Sequence, residues 1–138
     1  MRISAHVHNH QGIHEVTLRT HENEHQIQIP PRANGFGSSA NGGELLFLAL
    51  ATCYCNDIYR EAAKRGIEVV DVKVDVEGDF GAEGEAATGV KYRARISARA
   101  SEEQIRALAA DTDRVAEIQN TLRAGTPVTL GEVETVSL

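Results

Sequence analysis

Two cysteines, Cys53 and Cys55, are the only thiols in the 138-residue chain, and both fall in the stretch 41–66. An ionised thiol can act as a nucleophile, a redox centre or a metal ligand. A protonated one is often no more than a small buried hydrophobe. Both readings of Cys53 stand on its residue type alone. The other proton-handling groups are six histidines, His6, His8, His10, His14, His21 and His25, all near the N-terminus. His6, His8 and His10 recur at every second position and would share one face of a strand, where imidazoles could hold zinc or copper. They could equally be the solvated face of a His-rich meander, because a metal site usually draws a further ligand and outer carboxylates from elsewhere. No metal or cofactor is assigned to the chain on this basis.

The thiols need a scaffold, and the surrounding residues describe a helix. Asn41 is a suitable N-cap, and Glu44 three residues on can return the bond as a capping box. Lys64 and Arg65 suit the negative C-terminal end, and Gly66 is a left-handed terminator. The spacing predicts a helix over 42–65, about 36 Å long at about 1.5 Å per residue. That matches the breadth of a compact chain of this size, roughly 35–40 Å, so the helix would cross the whole molecule. Residues 45–53 are apolar or small on every side, which predicts burial all round. The run is shorter than the ~20 apolar residues a membrane span requires. From Asn56 onward the pattern turns amphipathic, with Ile58, Ala62 and Ala63 against Arg60, Glu61 and Lys64. Cys53 and Cys55, two positions apart, point to different faces and do not readily bridge. Asp57, one turn beyond Cys53, would raise the thiol pKa if it lies close.

The rest of the chain alternates. Residues 1–8 and 14–19 read as two half-buried strands joined at Asn9–Gly12, and 26–29 as a short third strand ended by Pro30-Pro31. A Pro-, Gly- and Ser-rich loop, 30–40, leads into the helix. After Gly66, Val70, Val72, Val74 and Val76 alternate with mostly acidic residues, and Val90 to Arg99 alternates with mostly basic ones. Antiparallel pairing would set these opposite charges side by side. Ser101 with Gln104 is a second capping box opening an amphipathic helix. A short third helix follows around Val115–Leu122, and Val128, Leu130, Val133 and Val136 suggest a last strand or two. The predicted class is α+β, with antiparallel sheets around a long central helix: three strands, long helix, two strands, two helices, final strand.

The length fits one domain, residues 1–138. The formal net charge of −6 and the lack of tryptophan argue against a nucleic-acid partner. Neither a P-loop nor a GxGxxG fingerprint is present. No signal pattern or membrane span is visible, so a cytoplasmic location with reduced thiols is expected.

Three segments together resemble the OsmC/Ohr family (osmotically inducible protein C and organic hydroperoxide resistance protein). The segment 37–46, Gly-Ser-Ser-Ala-Asn-Gly-Gly-Glu-Leu-Leu, is similar to that family's Gly/Ser-rich lead into N-P-E-x-L-L. Leu48-Ala-Leu-Ala-Thr-Cys53 is similar to A-x-L-x-x-C, with Leu48 in place of the first alanine. Ile118-Gln-Asn-Thr-Leu122 followed by Gly125 is similar to the end of C-P-[VI]-x-N-T-L-x-x-G. The order of elements also matches over essentially the whole chain. The resemblance implies an intertwined homodimer with the long helices at its centre. It further implies a thiol peroxidase that reduces organic hydroperoxides, through a first cysteine aided by a carboxylate and an arginine. A second cysteine then closes a disulfide that an external dithiol reduces.

Carried over by position, Cys53 matches the peroxidatic cysteine and Glu44 the second glutamate of an N-P-E-E-L variant. These two are the candidate catalytic residues. Gly43 stands where the usual catalytic glutamate falls, Gly42 where the proline falls, and Ala116 where the second cysteine falls. No motif anchors an activating arginine, although Arg19 and Arg32 lie in the right third of the chain. The expected function is therefore a one-cysteine thiol peroxidase acting on organic hydroperoxides in oxidative-stress defence. The alternative is a non-catalytic protein of the same fold that binds a small apolar or thiol ligand at the dimer interface.

Overall fold

The computed structural model describes all residues, Met1–Leu138. The chain falls into two units, Met1–Leu46 and Phe47–Leu138.

In the first unit, β1 (Ile3–His10), β2 (Ile13–Thr20) and β3 (Asn23–Ile27) form an antiparallel sheet in chain order. His10 pairs with Ile13 and Thr20 with Asn23, so both connections are two-residue turns. Gly12 (φ 76°) takes the left-handed position in the first, and His21 (φ 52°) in the second. Val16 is the one buried residue of this sheet; Ile3 and Val7, expected on a half-buried face, are exposed. Asn9 fastens the Gly-rich loop to the first hairpin, accepting from the Gly37 N–H at 3.0 Å and donating to the Gly37 carbonyl at 3.2 Å.

The helix α1 (Gly42–Lys64) starts at a capping box, as its sequence predicts. The Glu44 N–H donates to Asn41 Oδ1 at 2.8 Å, and the Asn41 N–H donates to Glu44 Oε1 at 3.0 Å. It ends at Gly66, left-handed at φ 65°.

The second unit holds the rest of α1 with β4 (Glu68–Asp79), β5 (Thr88–Arg99), α2 (Glu102–Val115) and α3 (Glu117–Arg123). Tyr54, Ile58 and Ala62 of α1 meet Leu108 of α2 in the core, with Ile67, Val69, Val72, Val74, Tyr92 and Ile96 packed against them. Tyr54 donates to the Ala109 carbonyl at 2.8 Å, and its ring stands edge-on to Tyr92 with centroids 4.8 Å apart. Burial pushes the Tyr54 phenol up to about 12. Ser101 and Gln104 form the predicted capping box of α2.

The antiparallel β4–β5 hairpin sets Asp75 against Arg93, Glu77 against Lys91 and Glu68 against Arg99, at 3.5, 3.3 and 3.2 Å. The charge complementarity read from the two strands is realised, apart from Lys73 facing Arg95 and Asp71 facing Ser97. The valine alternation is not the simple one expected. A register shift between Val69 and Asp71 turns Val69 inward and leaves Val70 58% exposed. An extra residue on one strand puts the following side chains on the opposite face, which is the effect of a β-bulge.

Two expectations fail in the single chain. Of residues 45–53 only Leu50 is buried, and Leu48 is 58% exposed, so this stretch is not covered on all sides. The final strand does not form: 126–138 lie outside helix and strand, with Val128 98% exposed. An alternating apolar segment becomes a strand only when an edge accepts its backbone groups, and here none does.

Candidate functional site

Cys53 and Asp57 are one turn apart on α1, and the same face of the helix carries Arg60 a further turn on. The other half of the site comes from α3. Val115 ends α2, Ala116 takes an extended conformation (φ −69°, ψ 107°), and Glu117 opens α3. Ala116 is fully buried, and Gln119 donates its side-chain amide to the Leu50 carbonyl at 3.0 Å, which ties α3 to α1. That anchoring delivers Glu117 to the cysteine across 64 residues of sequence.

The Cys53 sulfur lies 3.6 Å from Asp57 Oδ2 and 3.8 Å from Glu117 Oε2. Ligand atoms of the three residues all lie within 4.8 Å of one another. Arg60 bridges both carboxylates, 3.1 Å from Asp57 Oδ1 and 3.1 Å from Glu117 Oε1. The electrostatics follow from this crowding. Burial, followed by the charge and hydrogen bond of Asp57, raises the Cys53 thiol above its ordinary value, against a lowering contribution from the Ile118 backbone N–H. Burial and the hydrogen bond to Glu117 raise the Asp57 carboxyl. Glu117 is lowered, first by its own backbone N–H and then by Asp57 and Arg60. The thiol is therefore protonated at neutral pH, and the two carboxyl groups compete for one cation.

A thiolate with two carboxylates is chemically able to hold a metal ion. The Arg60 guanidinium already supplies positive charge to both carboxylates, so the geometry reads as a thiol with a salt-bridged carboxyl pair. The histidines do not form such a cluster. His6, His8 and His10 share the exposed face of β1 as their period predicts, with the His8 and His10 rings 4.9 Å apart and His8 Nδ1 3.7 Å from Glu15.

The residues singled out from sequence are distributed as follows. Cys53 is at the centre of the cluster, and Asp57 is beside it. Glu44 is occupied in the capping box at the start of α1. Arg19 is engaged by Glu24 at 2.6 Å, and Arg32 by the Ser38 carbonyl of its own loop at 3.2 Å. Cys55 borders an open depression of about 260 Å³ with Ala51, Thr52, Asn56 and Val74. Sequence reasoning missed Arg60 and Glu117. Arg60 could have been found seven positions from Cys53, nearly in line with it on a helix. Glu117 directly follows Ala116, and only that neighbourhood could have pointed to it.

Several solved structures share the fold. An OsmC-like protein from Mycoplasma pneumoniae aligns with a TM-score of 0.59 at 19% identity, covering 88% of this chain and 86% of that one. An organic hydroperoxide resistance protein OsmC from Legionella pneumophila aligns at 0.59 and 21%, covering 89% and 90%. An OsmC-like hydroperoxide resistance protein from Jannaschia sp. aligns at 0.53 and 15%, covering 97% and 91%. At these identities the likeness establishes the fold alone. No curated protein matches the chain. The family model described as OsmC-like protein matches residues 35–131, most of the chain, and the protein belongs to that family.

Proposed function

We propose that the protein is a one-cysteine thiol peroxidase that reduces organic hydroperoxides, working as a homodimer in a reducing compartment such as the cytoplasm. The observation that carries this reading is the Cys53 sulfur held 3.6 and 3.8 Å from two carboxyl groups that share the Arg60 guanidinium. Relatives of the same fold that carry the name hydroperoxide resistance protein support it. In this reading the Cys53 sulfur attacks the terminal oxygen of the hydroperoxide, the O–O bond breaks, and an alcohol leaves. The resulting sulfenic acid condenses with an external thiol, releasing water, and a second external thiol frees Cys53 from the mixed disulfide. The external thiol is required because Ala116 offers no sulfur and Cys55 lies on another face of α1. Glu44 contributes by capping the helix that carries the nucleophile.

Consumption of cumene hydroperoxide with a dithiol reductant is the test. Wild type and Cys55→Ser are expected to turn over, and Cys53→Ser to fall to the protein-free rate. One added oxygen on Cys53 by mass spectrometry, after stoichiometric peroxide without reductant, is the accompanying signature. A rate that survives Cys53→Ser, or no rate in wild type, overturns the reading.

A second reading is a non-catalytic protein of this fold that binds a small apolar or thiol ligand at the dimer interface. The raised Cys53 thiol favours it, since a protonated sulfur is a poor nucleophile. Native mass spectrometry that finds a co-purified small molecule, together with an inert Cys53, would select it.

A further inference from the structure

We propose that Asp57 and Glu117 act as a proton-exchanging carboxyl pair on Cys53, one carboxylate taking the thiol proton while the other carboxyl protonates the leaving oxygen of the hydroperoxide. The inference rests on the hydroperoxide reading and adds to it the residues that move the protons.

The geometry supplies two oxygens from different helices to one sulfur, Asp57 Oδ2 from α1 and Glu117 Oε2 from α3. Two carboxylates this close do not both stay ionised easily, and the pair has a single guanidinium between them. In the proposed active form the pair carries one proton, which leaves a single negative charge to face that guanidinium. Glu61, 3.8 Å from Arg60, is the next charged group on α1, and it is matched by Lys64 at 2.7 Å. From α3 the sulfur meets only Glu117 and the Ile118 N–H. Burial raises the Asp57 carboxyl and the donors around Glu117 lower that one, so Asp57 is the member of the pair that takes a proton more readily. The Asp57 side chain is 8% exposed and that of Glu117 62%, so the pair runs from the interior out to water.

The chemistry needs both functions. Cys53 starts as a thiol, so attack requires a base; O–O cleavage expels an alkoxide, so it requires an acid. The sulfur forms a bond to the terminal hydroxyl oxygen and is oxidised from thiol to sulfenic acid. The O–O bond takes the electron pair to the departing oxygen. The thiol proton goes to the ionised carboxylate, and the proton on the other carboxyl goes to the alkoxide, giving an alcohol. The pair ends with one proton, as it began.

Such a pair gives a bell-shaped rate, because its active form carries one proton. A simple thiolate nucleophile gives a rate that rises with pH and levels off. The experiment is the pH profile of Cys53-dependent cumene hydroperoxide consumption for wild type, Asp57→Asn and Glu117→Gln. Wild type is expected to be bell-shaped. Each variant is expected to lose about 100-fold near neutrality, the scale of general acid–base catalysis, and to show a rate that only rises with pH. Infrared spectroscopy at neutral pH is expected to show a protonated carboxyl band that Asp57→Asn removes. A monotonic wild-type profile, a variant that keeps the bell, or the absence of that band overturns the carboxyl pair while leaving Cys53 as nucleophile. No Cys53-dependent consumption at any pH overturns the hydroperoxide reading and the pair with it. The wild-type profile and spectrum decide the matter even if the Asp57 variant does not fold.

Discussion

At the scale of single residues the governing feature is that the surroundings of Cys53 disfavour its thiolate. Burial and Asp57 act in the same direction on it, and the Ile118 N–H opposes them only in part. A free cysteine titrates near about 8.5, and its alkylation rate levels off above that pH. Iodoacetamide is therefore expected to modify Cys53 slowly at neutral pH, with a rate still climbing where a free cysteine has reached its plateau. Peptide mapping by mass spectrometry follows each cysteine separately, and a Cys53 rate that is already flat at pH 8 would contradict the raised thiol. Alkylation needs only the thiolate, whereas hydroperoxide cleavage also needs a proton donor. The two pH profiles are thus expected to differ on the same sulfur.

Among the elements, α2 depends most openly on a local signal. The Ser101 side chain accepts from the Gln104 N–H at 3.2 Å, and the Ser101 N–H donates to the Gln104 side-chain oxygen at 3.0 Å. Ser101→Ala is expected to destabilise the protein by about 1 kcal/mol, the usual cost of losing an N-cap side chain. Urea unfolding at constant m-value measures it. Capping of this kind is legible because donor and acceptor are three residues apart, and both long helices were read from such boxes. Charge alternation likewise identified the β4–β5 pair. On β4 the inward Val72, Val74 and Val76 were legible, but the switch at Val69 and Val70 was not, because both are valine and nothing local says which one bulges. The same limit applies at the site. Asp57 was within one turn of Cys53 and could be anticipated. Glu117 reaches the sulfur only through the way Ala116 and Gln119 seat α3, a long-range packing outcome with no local signature. The final strand was misread because its alternation is real but its pairing partner is absent.

For the molecule as a whole, the apolar surface left on one chain is the informative quantity. Leu48 and Tyr59 on α1 are exposed, as are Val128 and Leu130 of the C-terminal segment. Large apolar side chains left in water are what an assembly covers when they form one patch. The homodimer proposed above would cover the α1 face, since an isologous contact brings one patch against its copy. Wild type is expected to sediment as a dimer, and Leu48→Glu to move the equilibrium toward monomer at equal concentration. Position 48 is solvated in the single chain, so the charge there should leave the far-UV circular dichroism of the monomer intact. A monomeric wild type, or a dimer indifferent to Leu48→Glu, would remove the α1 face from consideration.

Cys53 and Arg60 sit on one uninterrupted helix, and this bears on how the gene can vary. A helix turns about 100° per residue, so inserting or deleting one residue between them would swing Arg60 away from the face that carries Cys53. Every side chain type would remain, yet the charge balance around the sulfur would be lost. Between positions 53 and 60 the length of the helix is thus as constrained as the identity of Cys53, Asp57 and Arg60. A reading-frame-preserving deletion there should be as damaging to the thiol's chemistry as replacing the cysteine itself.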